Sequence, residues 1–333
     1  MIYKPYPTVA ERGKTHCNDP KHMQEEKQAA YSQRLRIQKH KRKQLYSSKC
    51  GQNMTSHCYS SPWSPLCLFS PHLGCRQYIE ETELRGIRYK ILEFNPMVLR
   101  GKVKPDSSRP DLLHPLNFVR FYLPLLDINH EKVIYLDDDV IVQGDVQDLF
   151  NIQLKPGHAA AFATDCDLPS THEMVRSIGM QTTYMGFLDY RKQEVKDLGI
   201  NPRDCSFNPG VFVADISEWK KQKITKQLER WMEENFRQNI YSSAMAGGVA
   251  TPPMLIVFHG KYTTLDPLWH VRHLGWSPDA RYPESILQEA HLLHWNGPFK
   301  PWNYPAVHLD LWERWFIPDP SGSFSLVRPD GDS

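Results

Sequence analysis

Residues 132–145 read KVIYLDDDVIVQGD, two apolar runs separated by three carboxylates, Asp137, Asp138 and Asp139. Side chains alternate along a strand, so Asp137 and Asp139 share one face and Asp138 points to the other. Two carboxylates a few ångströms apart repel by about 4 kcal/mol at an effective dielectric of about 20, so such a pair needs water or a cation to offset it. Val133 to Leu136 bury the approach and Val140 to Val142 bury the exit. A divalent metal therefore suits the D-x-D pattern better than water does, and hard oxygen ligands favour magnesium or manganese. The carboxyl end of a strand is also where α/β folds place ligands. An acidic turn after a strand remains the plain alternative. A phosphatase of the haloacid dehalogenase type, with the first Asp as nucleophile, is another, but that motif opens its domain and this one follows earlier elements.

Outward from this stretch the chain changes texture. It has 333 residues and 40% hydrophobic content, enough for a sizeable core and one or two domains. The net charge of +2 hides an asymmetry: residues 1–49 carry 12 Lys/Arg against 4 Asp/Glu, a local +8, and the rest carries −6. Residues 1–78 show no useful apolar period and read as a basic, disordered segment. The arm RLRIQKHKRK (34–43) has no aromatic platform beside it, which argues against nucleic acid as a partner. No run approaches the roughly 18 apolar residues of a spanning helix, and the N-terminal residues lack an apolar signal core.

Seven cysteines are present, at positions 17, 50, 58, 67, 75, 166 and 205. The front five, with His57 and His72, contain no C-x-x-C pair and do not space as a zinc finger. Cys166 and Cys205 end and begin strand-like runs near one cleft, where a disulfide in an oxidising lumen and two separate buried thiols are both open readings. Asn53-Met54-Thr55 is a glycosylation sequon by pattern.

From about residue 80, strands and helices alternate as in one α/β domain. IRYKILEF (87–94) reads as a strand, and LNFVRFYLPLL (116–126) as a helix up to Pro124. KVIYLD, VIV and HAAAFATD (158–165) suit interior strands of a mostly parallel sheet. SFNPGVFVADI (206–216) leads into a helix capped by Ser217, with Trp219, Ile224, Leu228, Trp231 and Met232 as its apolar stripe. GGVATPP reads as a joint, followed by a strand HLLHW and a helix LDLWERW.

HLLHWNGPFKPW (291–302) places His294 on a strand before a Gly-containing turn that ends in Lys300, Pro301 and Trp302. Imidazole can complete a manganese shell, and a lysine shortly after it can meet a phosphate as a point charge.

Together with FNPMVL, PLNFVRFYLPLL, VIYLDDDVIVQGD, GHAAAF, CSFNPGVFVA, LLHWNG, KPW and DLWE, these motifs make the chain resemble glycosyltransferase family 8 over about residues 80–325. The resemblance implies a GT-A fold, a mixed α/β sheet with flanking helices, in a domain over 79–325 followed by a tail at 326–333. It implies transfer of a sugar from a UDP-sugar to an acceptor hydroxyl on a glycan or protein, with retention at the anomeric carbon. Asp137, Asp139 and His294 then correspond to ligands of Mn2+ or Mg2+, and Asp138 lies beside the ribose and diphosphate. Gly297 and Lys300 match a loop that closes on the diphosphate, Arg120 an arginine near the nucleotide or donor sugar, and Asn208 an asparagine of the sugar pocket. Arg120 as a helix ion pair and Asn208 as a turn former are the structural alternatives. Relatives imply a membrane-anchored glycoprotein of the Golgi or endoplasmic reticulum lumen.

Two departures stand out. The family's Asp-Gln pair falls at Thr251-Pro252, neither of which supplies a carboxylate or amide. The opening βα unit that cradles uridine, and a signal anchor, are not found in residues 1–78, so a sheet lacking its first strand is expected. A luminal protein that binds nucleotide or glycan without turnover is the rival reading.

Overall fold

The computed structural model describes residues 80–82, 85, 92, 94–104, 110–126, 130–167, 182–241, 248–276, 282–302 and 306–320. The expectations for residues 1–78, for the tail at 326–333, for the front cysteines and for the sequon lie outside these, as does most of the strand expected over 87–94. Among the described residues no helix is long and apolar enough to cross a membrane.

A four-stranded sheet forms from β1 (Lys132–Leu136), β3 (Ala160–Phe162), β4 (Val211–Asp215) and β5 (Thr263–Thr264), in the order β1-β4-β3-β5. β4 runs antiparallel to both its neighbours, while β3 and β5 pair in parallel. The sheet is therefore mixed, where the apolar runs suggested a mostly parallel one. Strands buried on both faces read as continuous apolar runs whichever way they point, so composition does not carry direction.

Both faces are covered. Val133, Tyr135, Phe162 and Phe212 pack on one side with Trp219, Ile224, Leu228 and Met232. Ile134, Leu136, Ala161, Val211 and Val213 face the opposite way, toward Val140, Val142 and Leu292. The latter belong to a second, two-stranded sheet of β2 (Val140–Val142) and β6 (Leu292–His294), paired antiparallel. On the first face Phe162 stacks on Phe207 with centroids 4.0 Å apart, and Phe212 stacks on Tyr135 at 5.0 Å.

The helices depart from the sequence reading in three places. The segment Pro115–Leu125 is a 3-10 helix, broken at Tyr122 and containing Pro124, because a proline ring supplies no N–H to an α-helical ladder. The helix expected to start at Ser217 is two: α3 (Ile216–Lys221) and α4 (Ile224–Gln238), separated at Lys223, whose φ of 55° lies in the left-handed region. Asp215, the last residue of β4, caps α3 by accepting from Glu218 N at 2.8 Å, so Ser217 is not the cap. The GGVATPP joint ends inside α5 (Thr251–Phe258), in which every residue is buried. Its prolines occupy the first turn, where a missing N–H costs nothing. The shorter helices α1 (Val146–Asn151), α2 (Gln193–Lys196), α6 (Glu284–Glu289) and α7 (Leu309–Glu313) complete the described set.

Phe162 is fully buried at the centre of the aromatic layer. Phe162→Ala is expected to lower the unfolding free energy by about 3–5 kcal/mol. Urea denaturation checks this: a midpoint unchanged from wild type contradicts the packing described.

Candidate functional site

β1 delivers Asp137 to the edge of the sheet, where Asp137 N donates to Gly210 O at 2.7 Å, one pairing beyond the strand. The chain turns through Asp138 and Asp139 and enters β2. β2 pairs with β6 so that Val140 lies opposite His294, and Trp295 N donates to Asp139 O at 2.9 Å. This register brings a histidine from the far end of the chain beside the carboxylates.

Ligand-capable atoms of Asp137, Asp139 and His294 all lie within 4.8 Å of one another. His294 Nε2 is 2.7 Å from Asp139 Oδ1 and 4.0 Å from Asp137 Oδ2. The other oxygen of each carboxylate is held by a basic side chain. Arg120 pairs with Asp137 Oδ1 at 2.9 Å, and Lys300 with Asp139 Oδ2. Each carboxylate thus spends one oxygen on the protein's own cations and turns the second toward a shared point. Asp139 Oδ1 is buried there without an aligned hydrogen bond, despite the nearby imidazole.

Gly210 leaves the room. A Cβ at this position would lie 2.5 Å from His294 Cε1 and 2.6 Å from Asp137 Oδ2, closer than side-chain carbons approach. Asn208 Oδ1 accepts from Gly210 N at 2.8 Å, which shapes the turn that carries the glycine. An unpartnered buried carboxylate oxygen, a second carboxylate, an imidazole and a cradle free of side chain are a donor set that fits a hard or borderline divalent cation.

The charge states follow from the surroundings. Burial would raise the Asp139 pKa, but His294 and Lys300 outweigh it and hold the group below the ordinary carboxylate range. Crowding by protein atoms, then repulsion from Asp139 and Asp137, pushes Asp138 up to about 7. Asp138 is exposed, so water offsets much of the crowding and the charge repulsion is the durable part. Burial keeps the Tyr135 hydroxyl protonated, and it donates to Asp137 Oδ1 at 2.9 Å. Desolvation favours loss of the Arg120 charge, yet Asp137 reverses this and keeps it a cation. Arg120 also donates to Pro209 O at 2.7 Å and lies over the Tyr135 ring at 4.9 Å.

The remaining residues singled out in the sequence fall as follows. Lys300 Nζ donates to Trp295 O at 2.6 Å as well as meeting Asp139. Gly297 packs so closely on the Gly275 carbonyl that no side chain fits between them. Thr251 and Pro252 open α5 and are buried. Cys166 and Cys205 form a disulfide. Beside it Asp165 is paired with Arg272 and accepts from Ser206, while Arg272 donates to Thr164 O at 2.9 Å and to His270 O at 3.0 Å. This brace ties the end of β3 to residues 205–210, which carry Asn208 and Gly210.

Sequence reasoning missed Gly210, Tyr135, Arg272 and His270. Gly210 was visible within Asn-Pro-Gly, but only as turn chemistry. The others gave no local signal, because their partners come from distant parts of the chain.

Residues 72–306 match the model of a family described as Glycosyl transferase family 8. Glycosyltransferase 8 domain-containing protein 2 of Homo sapiens is 68% identical over 251 residues, 75% of this chain and 72% of that protein. Glycosyltransferase 8 domain-containing protein 1 of Rattus norvegicus is 52% identical over 253 residues, 76% and 68% respectively. A crystal structure of the galactosyltransferase LgtC in complex with donor and acceptor sugar analogues aligns with a TM-score of 0.51 at 15% identity, covering 87% of this chain and 95% of that one. At that identity the likeness speaks for the fold, which is GT-A.

Gly210→Ala tests the cradle directly. It is expected to destabilise the protein by about 1–3 kcal/mol through overpacking. A variant that melts like wild type contradicts the close approach. Reducing the Cys166–Cys205 bridge is expected to cost about 2–4 kcal/mol, read as a lower melting temperature in reductant, with Cys166→Ser insensitive to reductant at this step.

Proposed function

This chain belongs to glycosyl transferase family 8, and we propose that it transfers a sugar from a UDP-sugar to an acceptor hydroxyl, with retention and with a divalent metal. The observation that carries the reading is the convergence of Asp137 Oδ2, Asp139 Oδ1 and His294 Nε2 over the side-chain-free Gly210. Asp137, Asp139 and His294 would hold the metal, manganese or magnesium by the chemistry of the donors. When bound, such a cation supplies Lewis-acid charge to a diphosphate.

The chain's own residues supply the rest. Arg120 and Tyr135 both bond Asp137 Oδ1 and so fix the direction of Oδ2. Lys300, a point charge at the mouth of the site, serves the diphosphate as negative charge builds on departing UDP. Gly297 keeps the loop that carries Lys300 close to the Gly275 backbone. Asp138, exposed in the turn between the other two, is suited to the ribose and diphosphate side of the donor. Asn208 shapes the Gly210 turn beside Asp137 and His294, which suits it to the sugar of the donor. Holding acceptor hydroxyl and sugar in one orientation then does much of the rate enhancement.

The acceptor is a glycan or protein. The disulfide supports maturation in an oxidising compartment, in keeping with the Golgi or endoplasmic reticulum lumen. One observation favours a second reading, a luminal protein that binds nucleotide or glycan without turnover: Thr251 and Pro252 stand where family relatives are expected to present an Asp-Gln pair to the sugar, and both are buried in α5.

Sugar release from a panel of UDP-sugars with manganese separates the two. Wild type is expected to release sugar, Asp139→Ala to fall to the enzyme-free rate, and Lys300→Ala to lose about 10²–10³-fold in kcat. Equal release by wild type and Asp139→Ala removes the enzymatic reading. Stabilisation by UDP and manganese with no release by wild type favours the binding protein.

A further inference from the structure

His270 lies at the end of the 3-10 turn Pro267–His270, and its Nε2 is 2.8 Å from His294 Nδ1. The two rings are within 16° of parallel and their centroids are 5.1 Å apart. That separation is about two ring radii more than the nitrogen contact, so the rings meet end to end in one plane rather than stack. Both residues are buried, at 0% and 1% exposure. His270 Nδ1 has no hydrogen-bond partner among the described residues. Among the described residues, the single polar contact of the His270 ring is therefore with the imidazole that faces Asp137 and Asp139.

The backbone holds this contact in register. Asp266 caps the turn through Leu268 N at 2.9 Å, and Arg272 donates to His270 O at 3.0 Å. Val271 N donates to Leu292 O at 3.0 Å, and His294 N donates to Val271 O at 2.8 Å. The segment bearing His270 is thus a parallel neighbour of β6, which bears His294.

We propose that His270 is a positioning residue of the metal site: its Nε2 accepts a hydrogen bond from His294 Nδ1–H and so presents the His294 Nε2 lone pair to the cation. The proposal rests on the metal-site reading above. A neutral imidazole carries one proton on either nitrogen, and only the form protonated on Nδ1 can ligate through Nε2. A buried Nδ1–H needs an acceptor, and the polar partner of a ligating histidine commonly sets its orientation and basicity. Without His270, the form with the proton on Nε2 gains, because that proton faces the Asp139 carboxylate 2.7 Å away. That form cannot bind metal through Nε2. Ligation through His294 Nε2 puts the proton on His294 Nδ1, and His270 Nε2 is the acceptor within reach of it; His270 then carries its own proton on Nδ1, which has no partner among the described residues.

The test compares wild type, H270Q and H270L in the full chain, freed of metal, by following unbound Mn2+ in electron paramagnetic resonance as protein is titrated. A Gln oxygen can reach the place of the imidazole Nε2 and accept, whereas Leu cannot. H270L is expected to weaken the manganese Kd by about 10–100-fold, and H270Q to stay close to wild type. Wild-type affinity in H270L overturns the proposal, and so does an H270Q as weak as H270L when both melt like wild type without metal. Should H270L not fold, long-range 1H–15N spectra of the magnesium-loaded wild type decide: a proton on His294 Nδ1 supports the proposal and one on His294 Nε2 overturns it. Failure of wild type to take up manganese at all overturns the metal-site reading and this inference together. Uptake by wild type with no loss in H270L overturns this inference alone.

Discussion

The pairing of Val140 with His294 is the constraint on which the site depends. β2 and β6 are only three residues long, and a one-residue slip would turn every side chain of β6 to the opposite face. Two features pin the register. Trp295 N bonds Asp139 O just beyond the pair, and Gln143 and Gly144 both donate to His291 O at the other end. Gly144 is needed there, because a Cβ would strike the His291 side chain at 2.9 Å. The buried Leu292 and Leu293 then fall into separate apolar clusters on the two faces of β6, so a slip would exchange them as well.

Charge in the site is distributed rather than cancelled. Three consecutive aspartates form a repulsive cluster, yet Arg120 and Lys300 each neutralise one carboxylate from outside and leave the inward oxygens to each other and to His294. This arrangement costs desolvation of an arginine that is nearly buried, which is repaid by fixed orientation. A carboxylate free to rotate would present its lone pairs in many directions. Held from one side, Asp137 presents Oδ2 alone.

How much of this was legible from sequence divides along the range of the interactions. β1, β2, β3, β4 and β6 appear as apolar runs because burial on both faces leaves a local composition, and Asp137 and Asp139 stand out because charge between such runs needs a reason, whereas Lys300 reads singly as a surface charge and gains weight only beside His294 and the D-x-D pair. His294 stands out because a strand ends on it beside a glycine turn. Strand direction was not legible, since β4 inserts in reverse between β1 and β3 without changing the pattern of any of them. α5 was hidden because its opening Thr-Pro-Pro is also what a joint looks like. The cap of α3 was misread because Asp215 serves as both the end of a strand and the start of a helix. Gly210 and His270 were beyond reach for one reason: each is explained by a residue brought to it only by the fold.

The charged site and α5 differ in how they are built. Around Asp137 and Asp139, charged and imidazole groups arrive from β1, the β2 entry, β6 and the loop that follows it, and each is held by an identified partner. α5, by contrast, opens with a first turn of Thr251, Pro252 and Pro253, sealed into the core with the rest of its helix. Under the proposed function, orientation of the donor by Asp137, Asp139 and His294 is then the main lever that this arrangement offers.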